Sequence, residues 1–205
     1  MESEGEPPMR SAVAALAAAS LYAQGQALPA DDPHAEDRKV LLTLFHEIES
    51  SINAQDLTRM VKQLDDNATV VWANGEVSRG PAEALAYYDR MVKGKDRILT
   101  KYVTSAKLNG HARFVGDGSV AIADGTMEDE FYPVIRGPFK LDSKWTTTVA
   151  KINGEWKVIS LHLSANVFNN VLLDETKSII MYAAAGGLVL GAVAGWLLGR
   201  RNKRA

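Results

Sequence analysis

The sequence contains no cysteine. Disulfide bridges, thiolate metal sites and thiol catalysis are excluded together by that one absence, and structural zinc of the usual kind goes with them. His34, His46 and His111 show no spacing that would pair them as metal ligands, so no metal site is expected. A surplus of charge of either sign is missing too. The 205 residues carry a net charge of −2; setting aside the four cations at the extreme C-terminus and the −2 of residues 1–27 leaves −4 for residues 28–199. A mildly acidic chain has no electrostatic footprint for a phosphate backbone, which excludes nucleic acid as a partner. There is no internal repeat, and low complexity is confined to two apolar termini, so the interior reads as one globular unit of about 140 residues.

Within residues 179–199 the absence of charge is complete. The segment is mostly Ala, Gly, Leu and Val and ends in Arg200-Arg201-Asn202-Lys203-Arg204. At about 1.5 Å per residue, a helix of that length spans a hydrocarbon core of roughly 30 Å. A single transmembrane helix in contact with membrane lipid is expected there, with Tyr182 and Trp196 near its two boundaries. Gly187, Gly191, Gly195 and Gly199 recur every fourth residue in line with Ala183, leaving one helix face without side chains. Such a face lets a second helix approach closely, which predicts a homo-oligomer. The basic tail, 200–205, favours the cytoplasmic side and places the bulk of the chain on the periplasmic or extracellular face of the inner membrane. The other terminus agrees. Met9-Arg10, the apolar stretch 11–21 and the small residues Ala23, Gly25 and Ala27 read as a secretory signal peptide over 1–27. Glu2, Glu4 and Glu6 carry the wrong charge for such a signal, which marks Met9 as an alternative start. Residues 28–34 are then a linker, 35–168 the folded domain and 169–178 a connector to the anchor.

The domain opens with helical periodicity. Leu41, Phe45, Ile48 and Ile52 form one stripe, with Glu36 and Asp37 suited to the first turn; Asp56 is a plausible cap for a short second helix through Leu57, Val61 and Leu64. Residues 68–73 read as a strand ending at the Asn74-Gly75 turn, and Pro81 starts a third helix with Leu85, Tyr88 and Met91 on its buried face. After Lys93-Gly94-Lys95 the period becomes two. Strands are expected over 98–108, 112–115 running through Asp117-Gly118 into 119–127, 140–152 and 156–166. Asp117-Gly118 and Asn153-Gly154 are read as two-residue hairpin turns, and 128–138 as a loop in which Glu128-Asp129-Glu130 could hold a cation but, as three adjacent acids in a loop, reads as a solvated charge cluster. The expected fold is α+β: a cone-shaped, curved antiparallel sheet packed on three N-terminal helices, followed by the transmembrane helix.

Two motifs resemble the SnoaL-like branch of the nuclear transport factor 2-like superfamily. They are Trp72-Ala73-Asn74-Gly75-Glu76-Val77-Ser78-Arg79-Gly80-Pro81-Ala82-Glu83-Ala84 and the closing strand Asn153-Gly154-Glu155-Trp156-Lys157-Val158-Ile159-Ser160-Leu161-His162-Leu163-Ser164. The closing Trp, His and Ser pattern is also similar to that of the calcium/calmodulin-dependent kinase association domain. The resemblance covers residues 35–168 and implies the cone fold with a pocket, on which isomerases, cyclases, dehydratases, hubs and binding modules are all built. Ketosteroid isomerases of this superfamily use an aspartate on the first strand and a tyrosine on the first helix. Here that strand offers Val70, Val71 and Trp72, and the helix Phe45 and His46, so their proton relay is absent.

On the last strand, period-two alternation groups Val158, Ser160, His162, Ser164 and Asn166 on one face and Ile159, Leu161, Leu163 and Ala165 on the other. The resemblance implies that the polar face looks into the cone, making His162 a candidate acid–base catalyst and Ser164 a ligand contact. If the oily face looks in, His162 lies on the outer sheet surface, where related domains dimerise. SnoaL-type cyclases use a pocket carboxylic acid, and Asp124, alternating with Val120 and Ile122, is the candidate for that role. Trp72, Tyr88, Tyr102 and Trp145 are candidates to line an apolar pocket or, equally, to be core. No cofactor is expected. Together these features predict a membrane-anchored extracytoplasmic module that binds a small apolar ligand or a partner and self-associates. The alternative is a cofactor-independent SnoaL-type enzyme.

Overall fold

The computed structural model describes residues 31–168 and 170–202. The expected signal peptide, residues 28–30 of the linker and residues 203–205 of the tail lie outside them. The chain runs α1 (Ala35–Asn53), α2 (Leu57–Val61), β1 (Leu64–Val71), β2 (Val77–Arg79) and α3 (Gly80–Tyr88), which a π-helical turn, Asp89–Lys93, prolongs. Five strands follow, β3 (Leu99–Leu108), β4 (Arg113–Val115), β5 (Val120–Pro133), β6 (Phe139–Ile152) and β7 (Glu155–Ala165), and then α4 (Val171–Asn202). All strands belong to one sheet in the order β2-β1-β7-β6-β5-β3, with β4 also paired to β5. Every pairing is antiparallel except β1 with β7, which is parallel. The helices close over one face of this curved sheet, as the α+β reading predicts.

Helix α1 is fixed at both ends by polar side chains within it and beside it. At the start, Asp32 accepts from the His34 amide and from Arg38 Nε, while Asp37 accepts from Trp156 Nε1 and Lys151 Nζ at 2.8 Å each, tying the first turn to the β6–β7 hairpin. At the end, the Asn53 amide group pairs with both backbone groups of Thr104 at 2.8 and 2.9 Å, Gln55 bridges the two backbone groups of Tyr102, and Glu49 accepts from the Ala106 amide at 2.8 Å. β3 is an edge strand of the sheet, and these three side chains stand in for the missing neighbouring strand.

Several local expectations change. Asn153 and Gly154 both have positive φ, 51° and 86°, as a two-residue mirror-image turn requires. Asp117-Gly118 instead lies within a four-residue connection between Val115 and Val120. Asp117 there accepts from the amide and hydroxyl of Ser119, and the positive angles fall on Gly116 and Gly118. Residues 128–133, expected as loop, continue β5, so that only 134–138 connect it to β6. Val77–Arg79 forms a short strand that the sequence pattern did not reveal. In β7 the register shifts: Val158 opposes Val149 but Ser160 opposes Thr148, leaving Ile159 as an extra residue, a β-bulge. The alternation therefore changes parity at Ile159. Trp156 and Val158 face inward before it, Leu161 and Leu163 after it.

Helix α4 starts at Val171, before the uncharged run, so most of the expected connector is helical. It is the one described helix long and apolar enough to cross a membrane, over Val171–Trp196, and none of that span is buried against the domain. Arg136 of the β5–β6 connection pairs with Glu175 near its start.

Candidate functional site: an apolar cavity with one buried carboxylate

Between α1, α3 and the concave sheet face lies a cavity of about 220 Å³. Its walls follow from the pleat. Inward positions of β5 supply Ala123, Met127, Asp129 and Phe131; those of β6 supply Trp145, Thr147 and Val149; those of β7 supply Val158, Leu161 and Leu163. Leu41, Phe45 and Ile48 of α1 close the other side. All four aromatic candidates, Trp72, Tyr88, Tyr102 and Trp145, are in this wall. Trp72 stacks on Tyr87 at 4.2 Å and donates its indole N–H to Ser78 Oγ at 2.8 Å. Tyr88 donates to Gln55 Oε1 at 3.3 Å. Trp145, stacked on Phe45, is only 6% exposed, and its indole N–H is buried without a hydrogen-bond partner.

Two acids interrupt the apolar lining: Glu49, whose carboxylate accepts from the Ala106 amide, and Asp129. Asp129 is 3% exposed; its Oδ1 accepts from Tyr102 OH and Thr104 Oγ1, each at 2.7 Å, and its Oδ2 from Ser143 Oγ. Burial, and after it the Asp129 carboxylate, pushes the Tyr102 phenol well above its ordinary pKa of 10.0, so Tyr102 stays a donor throughout the physiological range. Burial likewise raises Tyr87, in the same wall, to about 12. The arrangement can hold a compact apolar molecule and meet one polar group on it.

The candidates on the sheet's other face are corrected in position. His162 and Ser164 are exposed, because the bulge at Ile159 turns the oily residues Leu161 and Leu163 inward in their place. Asp124, opposite Thr146, which in turn opposes His162, shares their outer row. It is bonded by Arg113 Nη1 at 2.8 Å and Asn109 Nδ2 at 2.9 Å. Those bonds, Arg113 first, hold its carboxyl below the ordinary 3.8, opposite to the neutral acid a pocket role requires. His162 and Asp124 thus lie on one side of the sheet, but not on the cavity side.

No protein-family model matches the sequence, and no curated protein matches it. Solved structures do match the domain. A crystal structure of hexachlorocyclohexane dehydrochlorinase LinA type 2 is similar over 66% of this chain and 89% of its own, at 15% identity and a TM-score of 0.58. An uncharacterised protein with a cystatin-like fold from Caulobacter vibrioides covers 72% of this chain and 99% of its own, at 14% identity and a TM-score of 0.55. A nuclear transport factor 2-like superfamily protein from Salmonella enterica subsp. enterica serovar Typhimurium str. LT2 covers 65% and 93%, at 19% identity and a TM-score of 0.52. The fold is the nuclear transport factor 2-like fold.

In this nuclear transport factor 2-like cone, Asp129 is the functional candidate that reading the sequence missed. Its two acidic neighbours gave it the look of a solvated loop. The signal was nonetheless present: Ala121, Ala123, Gly125 and Met127 already mark the inward parity of β5, and two further residues along the same parity reach Asp129. Tyr102 and Thr104 arrive beside it because β3 pairs with β5 in the register that sets Thr104 opposite Asp129.

Proposed function

We propose that this chain is a membrane-tethered binding module of the SnoaL-like type whose cone holds a small apolar molecule. The observation that carries the reading is the cavity wall: aromatic and aliphatic side chains from three helices and four strands converge on it, with few polar groups among them, Asp129 and the unpaired Trp145 N–H included. The tether is α4, an unburied apolar helix ending in basic residues. Their charge favours a cytoplasmic tail and hence an extracytoplasmic domain in the inner membrane. Self-association is part of the proposal. Cβ atoms added at Gly187, Gly191 or Gly195 would meet nothing, so that helix face is open to a second copy, and Gly191→Leu with Gly195→Leu is expected to dissociate oligomers on native gels.

Mass spectrometry of the organic extract of the purified full chain tests the ligand reading. The expected result is a small apolar molecule near one per chain, absent from Ala123→Phe, which fills the cavity. An extract without such a molecule from both proteins contradicts it. A cofactor-independent enzyme is the second reading. It is favoured by the 2.7 Å bond between Tyr102 and Asp129 inside the cavity, rather than by His162 and Asp124 outside it.

A further inference from the structure

Asp129 is a buried carboxylate attended by three neutral hydroxyls and, among the described residues, by no cation. We infer that this end of the cavity takes a protonated amine carried on a compact apolar body. The inference rests on the reading of the cavity as a ligand site and names the class of ligand. A carboxylate offers about four acceptor positions, and Tyr102, Thr104 and Ser143 fill three of them. What the site lacks is countercharge. Taking a carboxylate out of water is costly unless an opposite charge accompanies it. Among the described residues the wall carries one arginine or lysine, Arg38, engaged by Asp32 and by the carbonyl of Ala112, and one histidine, His111, next to Ala112 in the chain. Ala112 adjoins Arg113, which pairs with Ile122, seven residues back along β5 and so roughly 23 Å of strand from Asp129 at about 3.3 Å per residue.

An ammonium group at Asp129 would occupy the remaining acceptor position and supply the missing charge in a low-dielectric setting. It would also lie beside ring faces, since Tyr102 and Phe131, stacked at 5.0 Å, are both in the wall next to the carboxylate. A hydroxyl of the same shape could donate one hydrogen bond there but would leave the charge unmatched. A carboxylate ligand would be repelled.

The test is calorimetric titration of the full chain in zwitterionic-lipid nanodiscs, with empty nanodiscs subtracted, using 1-adamantylamine, 1-adamantanol and adamantane-1-carboxylate. The amine is expected to bind at least about tenfold more tightly than the alcohol, and the carboxylate more weakly than either. Asp129→Asn is expected to abolish the amine's advantage while leaving the alcohol within about twofold. Ser143→Ala, which frees an acceptor position without removing the carboxylate, is expected to keep the preference. The wild-type ranking depends on no variant folding. Equal affinities for amine and alcohol, or a carboxylate that binds best, overturn the amine inference and leave the ligand site standing. Binding of none of the three overturns the ligand site itself.

Discussion

Gly125 is an absolute requirement in the middle of β5. A Cβ there would come within 1.9 Å of the Lys107 carbonyl oxygen and 2.7 Å of the Trp145 indole, so Trp145 keeps its place in the wall because this position has no side chain. Gly125→Ala is expected to lower unfolding free energy by about 2 kcal/mol or more in chemical denaturation, because neither neighbour can retreat cheaply. Asp37 sets a pH dependence. Its bonds from Lys151 first and Trp156 second hold its carboxyl below the ordinary 3.8. Its stabilising contribution is therefore complete above that ordinary value and fades as pH falls through the lowered native one. Asp37→Asn is accordingly expected to be less stable than the wild type at pH 7, and to lose less stability than the wild type between pH 5 and pH 3. Thermal unfolding followed by tryptophan fluorescence across that range checks both statements.

Among the elements, the edge strand and the bulge do most to place the cavity. The Asn53 amide makes two hydrogen bonds to Thr104, at about 1 kcal/mol each, and covers a strand edge that would otherwise be open. Asn53→Ala is expected to cost about 2 kcal/mol and to raise hydrogen exchange at the Thr104 amide more than at amides in β6. The helices and the long strands were legible from periodicity, because apolar spacing of 3.6 and 2 is written directly in the side chains. The face of β7 was not. A bulge adds one residue without any compositional mark, so strict alternation through Ile159 grouped Val158 with His162, although the structure puts them on opposite faces. Asp129 was hidden for a related reason. Strand β5 runs on through a polar stretch that composition alone assigns to a loop, and only the hydroxyls arriving from β3 and β6 make a buried acid tolerable there. A carboxylate's hydrogen-bond partners are a tertiary property and cannot be read from its neighbours in sequence.

As a whole, the molecule is a cone whose last strand leads within a few residues into a long apolar helix. Its 32 residues extend about 48 Å at 1.5 Å each, enough for a hydrocarbon core and the headgroup region beyond it. A chain ending at Asn170 is expected to stay in the supernatant when the full chain floats with phosphatidylcholine vesicles, and flotation of both would contradict the tether. What places the cavity is that the oily side of β7 faces it and the histidine side faces water. The chain has no cysteine of its own, so Leu161→Cys and His162→Cys can be compared without background using a water-soluble maleimide on the full-length protein in lipid. Rapid labelling is expected at position 162, and labelling slower by at least about tenfold at position 161. Equal rates at the two positions, or the reverse order, would contradict it.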